Sequence, residues 1–450
     1  MSKNRFLGRN TSLSSYQNKK LLLIVAILMA LIVVDISLVR LYDLVSKQLI
    51  PLGLKQVLFS IISITILALQ FILLEFIKPK QAVEKEGIRL PFVHLYIITK
   101  AVQYILALLV VFIIVQIQLN SHYSTFALIA VIIGSYGFCI SILIHFTVRV
   151  VRLVSFKRNT LVVILFVITL CNITINSAIA MIDVSFRLSY RPQEIKPILG
   201  GSVDVSKGRF NLLDSLYFLS YVFSFISAWI ATAVLLIYYS KKVGKFKYWL
   251  VILTPVVFFL GQFLALFADV FSSVIYLDPF FLVSLINFVV TLSKPLGGLM
   301  LGIAFWSMAR LGERNTEVRK SLNISGLGLL LLFTCNQGIL MAISPYPPFG
   351  LSTITLLGLS AYLTVVGIYS SSFTLSHNSE LRKYIRNLAS SRLLDSLASA
   401  EMEREIEKTV SQIIVRESDS MEDKTGISSS LTENEAKTYL EEVLRELKKK

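Results

Sequence analysis

Charged residues are scarce in this sequence: 16% of its 450 residues are Asp, Glu, Lys or Arg, whereas soluble domains carry about 25%. Cysteine is also rare, with three residues, which excludes a disulfide framework. No cluster of His, Cys and Asp has metal-ligand spacing, and no phosphate-binding glycine loop or catalytic-serine motif occurs. We therefore predict a protein that is not an enzyme and holds neither a metal nor another cofactor.

Apolar residues replace the missing charge and gather in long runs. They form 55% of the chain, and the mean hydropathy is +0.71. A helix needs about 20 apolar residues to cross the hydrocarbon of a bilayer. Continuous runs without alternation exclude a transmembrane barrel. We predict an all-α, polytopic membrane protein of the plasma membrane with ten transmembrane helices, at 20–43, 54–77, 97–119, 125–148, 160–184, 214–240, 247–271, 281–308, 323–343 and 351–373.

Positive charge alternates from loop to loop. The N-terminus and every second loop after it hold 21 Lys and Arg residues, whereas the intervening loops hold six. Lys and Arg near span ends resist translocation and stay on the cytosolic side. Both termini are therefore predicted to be cytosolic, and the basic cytosolic face is expected to contact anionic lipids.

Composition divides the chain into three parts. Residues 1–19 form a basic cytosolic N-terminus, 20–373 the membrane domain and 374–450 a cytosolic helical tail, which holds 15 of the 28 Asp and Glu residues. The largest loop between spans, 185–213, is basic and rich in Pro and Gly, and we expect it to cover the outer mouth. Its charge could simply neutralise acidic residues at the outer helix ends.

Lys294 is the deepest ionisable residue of the predicted spans. An ionised side chain in a bilayer costs roughly 2.5 to 3.5 kcal/mol on insertion scales, so its presence needs a reason. Pro295 removes a backbone donor nearby, and the site could hold an anionic or carbonyl-bearing solute. The structural alternative is that Lys294 pairs with Asp35 of the first span, while Gly298 and Gly302 form only a packing face.

Polar residues of the fifth span form a second candidate group. Asn172 and Asn176 are one turn apart, and Asp183 follows on the same side of the helix. The residues that could converge with them are Gln262 of the seventh span, Asn287 of the eighth, and Asn336 and Gln337 of the ninth. We predict Lys294, Asp35, Asn172 and Asn176 as ligand-binding residues, with the alternative that such amides only join helices.

The tail ends in a predicted amphipathic helix. Thr432 and Glu435 form a capping box that opens it. An apolar face follows, which we predict as an interaction surface made by Leu440, Val443, Leu444 and Leu447. Its partner could be a cytosolic protein, a second copy of the tail or the anionic lipid surface. Nucleic acid is not expected, because the basic charge is spread between apolar runs.

The first part of the tail resembles that of a group of uncharacterised archaeal polytopic membrane proteins. The stretch Ser379-Glu-Leu-Arg-Lys-Tyr-Ile-Arg386 and the segment from Leu394 to Ile406 carry the resemblance. It implies a many-spanning core with cytosolic helices in a prokaryotic plasma membrane, and it brings no known activity.

Two functions rank first, and both are non-enzymatic. The first is sensing or scaffolding, with the tail as the contact to cytosolic machinery. The alternative is transport of a small polar or anionic solute at a site around Lys294. Many transporters contain inverted repeats with interrupted helices, but the third run lacks the Pro and Gly of the eighth. An enzyme acting on lipids ranks third.

Overall fold

Within the residues that it describes, the computed structural model has ten helices between positions 23 and 377. The residues that it describes are 23–38, 51–77, 92–155, 161–190, 192–195, 211–237, 244–261, 263, 279–311, 316–338, 346–377, 402, 406, 409, 410, 412, 413 and 416. The helices are α1 (Leu23–Leu38), α2 (Leu52–Ile77), α3 (Phe92–Asn120), α4 (Thr125–Ser155), α5 (Leu161–Ser189), α6 (Asn211–Ile237), α7 (Lys245–Gly261), α8 (Pro279–Leu311), α9 (Thr316–Cys335) and α10 (Leu351–His377).

Seven of these helices, α2 to α6, α9 and α10, are long enough and apolar enough to cross a membrane. The described part of α1 is also apolar but shorter. The all-α architecture with several potential spans is therefore confirmed. Each of the ten predicted runs overlaps one helix. The count of ten membrane crossings and the cytosolic position of both termini remain predictions.

The boundaries of α9 differ most from the prediction. We expected the ninth span at 323–343, but the helix begins at Thr316 and ends at Cys335. The residues 336–338 are buried and not helical. Helix α9 therefore ends inside the predicted run, at Asn336-Gln337-Gly338, where asparagine and glycine are typical of helix ends.

The most buried helices are the least apolar. The most apolar 18-residue stretch of α10 is 94% buried and that of α9 83%, compared with 33% for α3. Their mean hydropathies are 1.8, 1.2 and 2.4. Lipid-facing side chains must be apolar, whereas small and hydroxyl-bearing ones join helix to helix. Helix α10 therefore forms the centre of the bundle, packed against α2, α3, α4 and α9.

Glycine residues allow α8 and α9 to approach closely. A Cβ on Gly298 would lie 2.6 Å from the carbonyl oxygen of Leu330, and one on Gly302 would lie 3.0 Å from that of Gly326. Small residues at this spacing are typical of close helix pairs in membranes. The interpretation of Gly298 and Gly302 as a packing face is thus what the structure shows.

A two-stranded antiparallel pair joins the long loop to the turn between α3 and α4. The strands are β1 (Tyr123–Ser124) and β2 (Glu194–Ile195). The backbone N–H of Thr125 also donates to the carbonyl oxygen of Gln193 at 2.9 Å. The described part of loop 185–213 is therefore fixed to the α3–α4 end of the bundle.

Candidate functional site

Lys294 lies near the middle of α8, about 22 Å along the axis from its first residue. Its ammonium donates a hydrogen bond to Tyr217 Oη on α6 at 2.6 Å and another to the carbonyl oxygen of Asn336. The Nζ atom also lies 5.3 Å from the ring centre of Tyr217 and 5.1 Å from that of Tyr221. These distances are within cation–π range. Oxygen atoms and aromatic faces thus stabilise the charged amine.

The side chain of Asn336 extends this arrangement into the bundle. Its Nδ2 donates to Asn176 Oδ1 on α5 at 2.8 Å, and its Oδ1 accepts from Tyr136 Oη on α4 at 2.9 Å. Asn176 Nδ2 in turn donates to Ser220 Oγ on α6 at 2.9 Å. We call Lys294, Tyr217, Asn336, Asn176, Tyr136 and Ser220 the Lys294 network. It joins α4, α5, α6 and α8 to the segment that follows α9, through polar side chains that are buried, except for Lys294, which is partly exposed.

Main-chain groups just after the end of α9 also take part in this network. The N–H of Gln337 donates to the carbonyl oxygen of Cys335 at 2.8 Å, and the N–H of Gly338 donates to Tyr136 Oη at 2.9 Å. Irregular backbone at membrane depth is tolerated where protein groups satisfy it. The C-terminal end of a helix also carries partial negative charge, so the ammonium of Lys294 is favourably placed beside Asn336.

Asp35 belongs to a different cluster. Its carboxylate accepts the backbone N–H of Gly350 at 2.8 Å and the hydroxyl of Thr353 at 2.7 Å. Ser352 Oγ lies 3.5 Å from Asp35 Oδ2 and 3.2 Å from Ser63 Oγ on α2. These donors surround the first turn of α10, whose positive dipole end favours a carboxylate. The predicted pairing of Asp35 with Lys294 is therefore wrong, because Asp35 caps α10.

The three polar residues on one side of α5, Asn172, Asn176 and Asp183, lie in three different environments. Asn176 belongs to the Lys294 network. Asn172 is half-buried, and among the described residues no hydrogen bond links its side chain to that network. Asp183 Oδ1 accepts from Arg187 Nε at 2.8 Å, and Arg187 also bonds Asp214 on α6. Opposite charges at this end of the bundle thus neutralise one another, as the sequence analysis considered.

Of the four predicted ligand-binding residues, the structure brings Lys294 and Asn176 into one network through Asn336. Tyr136, Tyr217 and Ser220 were missed. A signal existed, because tyrosine in spans usually lies at the membrane interface, whereas Tyr136 falls in the middle of a predicted span. Within the described ranges, no group of three or more His, Cys, Asp or Glu side chains could hold a metal ion.

The predicted interaction surface of the tail, at Leu440, Val443, Leu444 and Leu447, lies outside the described residues. Comparisons with protein-family models, with curated proteins and with solved structures found no match to the chain. The resemblance of the tail to archaeal membrane proteins therefore stays a prediction, and arguments about function depend on the site itself.

Proposed function

We propose that this chain is a non-enzymatic membrane sensor that binds a small polar or anionic solute at the Lys294 network. Its tail, residues 374–450, passes the bound state to a cytosolic partner or to a second copy. The plasma membrane is its proposed location, with the basic cytosolic loops on anionic lipid. Of these proposals, solute binding is the one that is argued from the geometry around Lys294.

The observation that carries this proposal is a partly exposed charged amine halfway along α8 that contacts Tyr217 Oη of α6 and the carbonyl oxygen of Asn336. The side chain of Asn336 is in turn bonded to Asn176 of α5 and Tyr136 of α4. Amides and hydroxyls alone can join helices, and each such bond contributes only about 0.6 kcal/mol. An ammonium adds an insertion cost of roughly 2.5 to 3.5 kcal/mol. Binding of an anionic solute explains why a residue with that insertion cost is present.

Transport is the second candidate, and the early end of α9 favours it. Many transporters bind solutes near the membrane midplane, where a helix is interrupted and its backbone carbonyls become available. Here the carbonyl of Asn336 follows the end of α9 and contacts Lys294. The absence of a matching interruption in the predicted third span weighs against transport.

A thermal-shift screen tests solute binding. The full chain, purified in detergent, is heated with the sodium salts of acetate, phosphate, sulfate and chloride. We expect at least one anion to raise the melting temperature of the wild type but not that of Lys294→Met. The matched control is Lys100→Met, which removes a partly exposed lysine paired with Glu75 and should leave the response intact. If no anion distinguishes Lys294→Met from the wild type, the proposal is wrong.

Deletion of residues 376–450 then separates the two candidates. The cellular response to the bound anion should disappear if the protein is a sensor. If the protein is a transporter, that anion should instead enter proteoliposomes that contain the wild type, and the truncated chain should carry it at the same rate. Lys294→Met should abolish both readouts.

A further inference from the structure

An ion pair lies on the outside of the bundle, between α2 and α3. Lys100 Nζ of α3 donates a hydrogen bond to Glu75 Oε1 of α2 at 3.1 Å, and the two side chains are 33% and 57% exposed. The Nζ atom also lies 5.8 Å from the ring centre of Tyr104, one turn further along α3. We call Glu75 and Lys100 the exposed pair.

Apolar side chains surround the exposed pair. Ile97, one turn before Lys100, and Leu108, two turns after it, are 57% and 70% exposed, and Ile72, one turn before Glu75, is 44% exposed. Helices α2 and α3 are both long enough and apolar enough to cross a membrane, and α3 is the least buried of the seven such helices. We therefore expect this face to contact lipid, where ionisable side chains are rare and costly.

The exposed pair lies close to the boundary of the predicted spans. Glu75 is two residues before the end of the span 54–77, and Lys100 is three residues after the start of the span 97–119. Each is therefore within about 5 Å of that boundary along the helix axis. Phospholipid headgroups meet the hydrocarbon at this depth, and the predicted topology puts the exposed pair in the cytosolic leaflet.

Both members of the exposed pair have hydrogen-bonding capacity left. An ammonium has three donor hydrogens, and a carboxylate has two acceptor oxygens. Among the described residues, Lys100 donates one hydrogen bond, to Glu75, and Oε2 of Glu75 accepts none. A molecule in the adjacent leaflet can thus contact both groups without displacing a packed side chain.

The two charges match a headgroup that also carries one charge of each sign. A phosphodiester accepts hydrogen bonds and is attracted to an ammonium. A protonated primary amine donates to a carboxylate, which is an acceptor only, whereas the quaternary amine of choline has no N–H to donate. An anionic headgroup without an amine would bring a second negative charge towards Glu75.

We propose that the exposed pair binds a zwitterionic phospholipid with a primary amine, a phosphatidylethanolamine, with the phosphate at Lys100 and the amine at Glu75. This site is separate from the proposed solute site, because neither α2 nor α3 contributes to the Lys294 network. It also differs from the expected contact of the basic loops with anionic lipid, because the two charges of the exposed pair cancel.

Lipid titration of the full chain in detergent tests this proposal. Phosphatidylethanolamine and phosphatidylcholine with identical acyl chains are added separately, and native mass spectrometry gives the dissociation constant of the first bound lipid. We expect phosphatidylethanolamine to bind about tenfold more tightly, because only its amine can donate to the carboxylate. Equal affinities of the wild type for the two lipids would overturn the proposal.

Two variants locate the binding. Glu75→Gln keeps the size of the side chain but removes its charge, and it should bring the two affinities to within about twofold. Lys100→Met should weaken phosphatidylethanolamine about tenfold, because the phosphate loses its partner. The matched control is Lys247→Met, which removes an exposed lysine at the start of α7 and should bind both lipids as the wild type does. Without added lipid, all three variants should melt at the wild-type temperature.

The variants also distinguish the kind of lipid. A Glu75→Gln chain that keeps the tenfold preference, or a Lys100→Met chain that binds phosphatidylethanolamine as tightly as the wild type, would contradict the proposal. Phosphatidylglycerol tests the anionic alternative: if Lys100→Met weakens it and Glu75→Gln strengthens it, the exposed pair is a site for anionic lipid and the proposal is wrong. The anion screen with Lys294→Met decides the proposed function separately.

Discussion

The hydroxyl of Tyr136 contacts both ends of a three-residue segment: it donates to Asn336 Oδ1 and accepts the backbone N–H of Gly338, each at 2.9 Å. In a continuing helix, the N–H of Gly338 would donate to the carbonyl of Thr334. The phenol of α4 replaces that partner. Tyr136 therefore stabilises the end of α9 at the position where Asn336 binds Lys294.

Gly338→Ala should disturb this contact, because a Cβ at that position would lie 2.7 Å from Tyr136 Oη. Moving the phenol away leaves a buried donor and acceptor unpaired, which costs about 1 to 3 kcal/mol. We expect a lower melting temperature in detergent and weaker binding of whichever anion stabilises the wild type.

Gly137→Ala is the matched control for that substitution. It lies next to Tyr136 on α4, and nothing is within 4 Å of the added methyl group. Alanine is the better helix former by about 1 kcal/mol, so the melting temperature should stay the same or rise. Equal losses in both variants would contradict the role given to Tyr136.

Asp35→Ala should destabilise the bundle, because it removes the acceptor for Gly350 N–H and for Thr353 at the start of α10. Loss of a helix cap costs about 1 to 2 kcal/mol. Asp35→Asn keeps one acceptor oxygen and should fall between Asp35→Ala and the wild type in thermal unfolding. Glu75→Ala, which removes an exposed carboxylate, should leave the melting temperature unchanged. A stable Asp35→Ala variant would show that the cap is dispensable.

Gly298→Ala should separate α8 from α9, because the new methyl group would meet the carbonyl oxygen of Leu330 at 2.6 Å. Overpacking of this kind costs about 1 to 3 kcal/mol, and a shift of α8 also moves Lys294 away from Asn336. Gly53→Ala, with nothing within 4 Å, should be neutral. Thermal unfolding and anion binding are measured for both variants. Unchanged values for Gly298→Ala would show that α8 and α9 do not approach each other so closely.

Cysteine labelling tests the ten predicted spans. An impermeant maleimide should label Lys196→Cys in intact cells and Lys245→Cys only after the membrane is opened, because these loops are predicted on opposite sides. Cys139 and Cys335 are buried and Cys171 is half-buried, so the background from native thiols should be low. Labelling of both positions from the same side would overturn the count of ten.

Helix positions were predictable because a membrane span needs a long apolar run, and such a run can be read directly from the sequence. The end of α9 was missed. Residues 336–338 are Asn, Gln and Gly, which favour a helix end, but the apolar residues on both sides made the span look continuous. Tyr136, about 200 positions earlier in the chain, stabilises that end through Asn336 and Gly338, and a contact so distant in sequence is not visible in the local pattern.

The candidate site was predictable only in part, and for a related reason. Lys294 was identified from the cost of a charge in a bilayer, which depends on one residue and its position. Its partners, Tyr217 and the carbonyl of Asn336, depend on how α6, α8 and α9 pack. Asp35 was assigned to Lys294 by opposite charge, but its partners are uncharged N–H and O–H donors at a helix start.

The capping of α10 by Asp35 has a consequence for biosynthesis. The ribosome makes α1 first and α10 only after more than 300 further residues, so the carboxylate enters the membrane before its donors exist. Nascent chains halted before residue 350 therefore retain a carboxyl group in α1 without its hydrogen-bond donors. We expect insertion of α10 to be the event that completes the bundle, and membrane proteases to degrade chains that lack it.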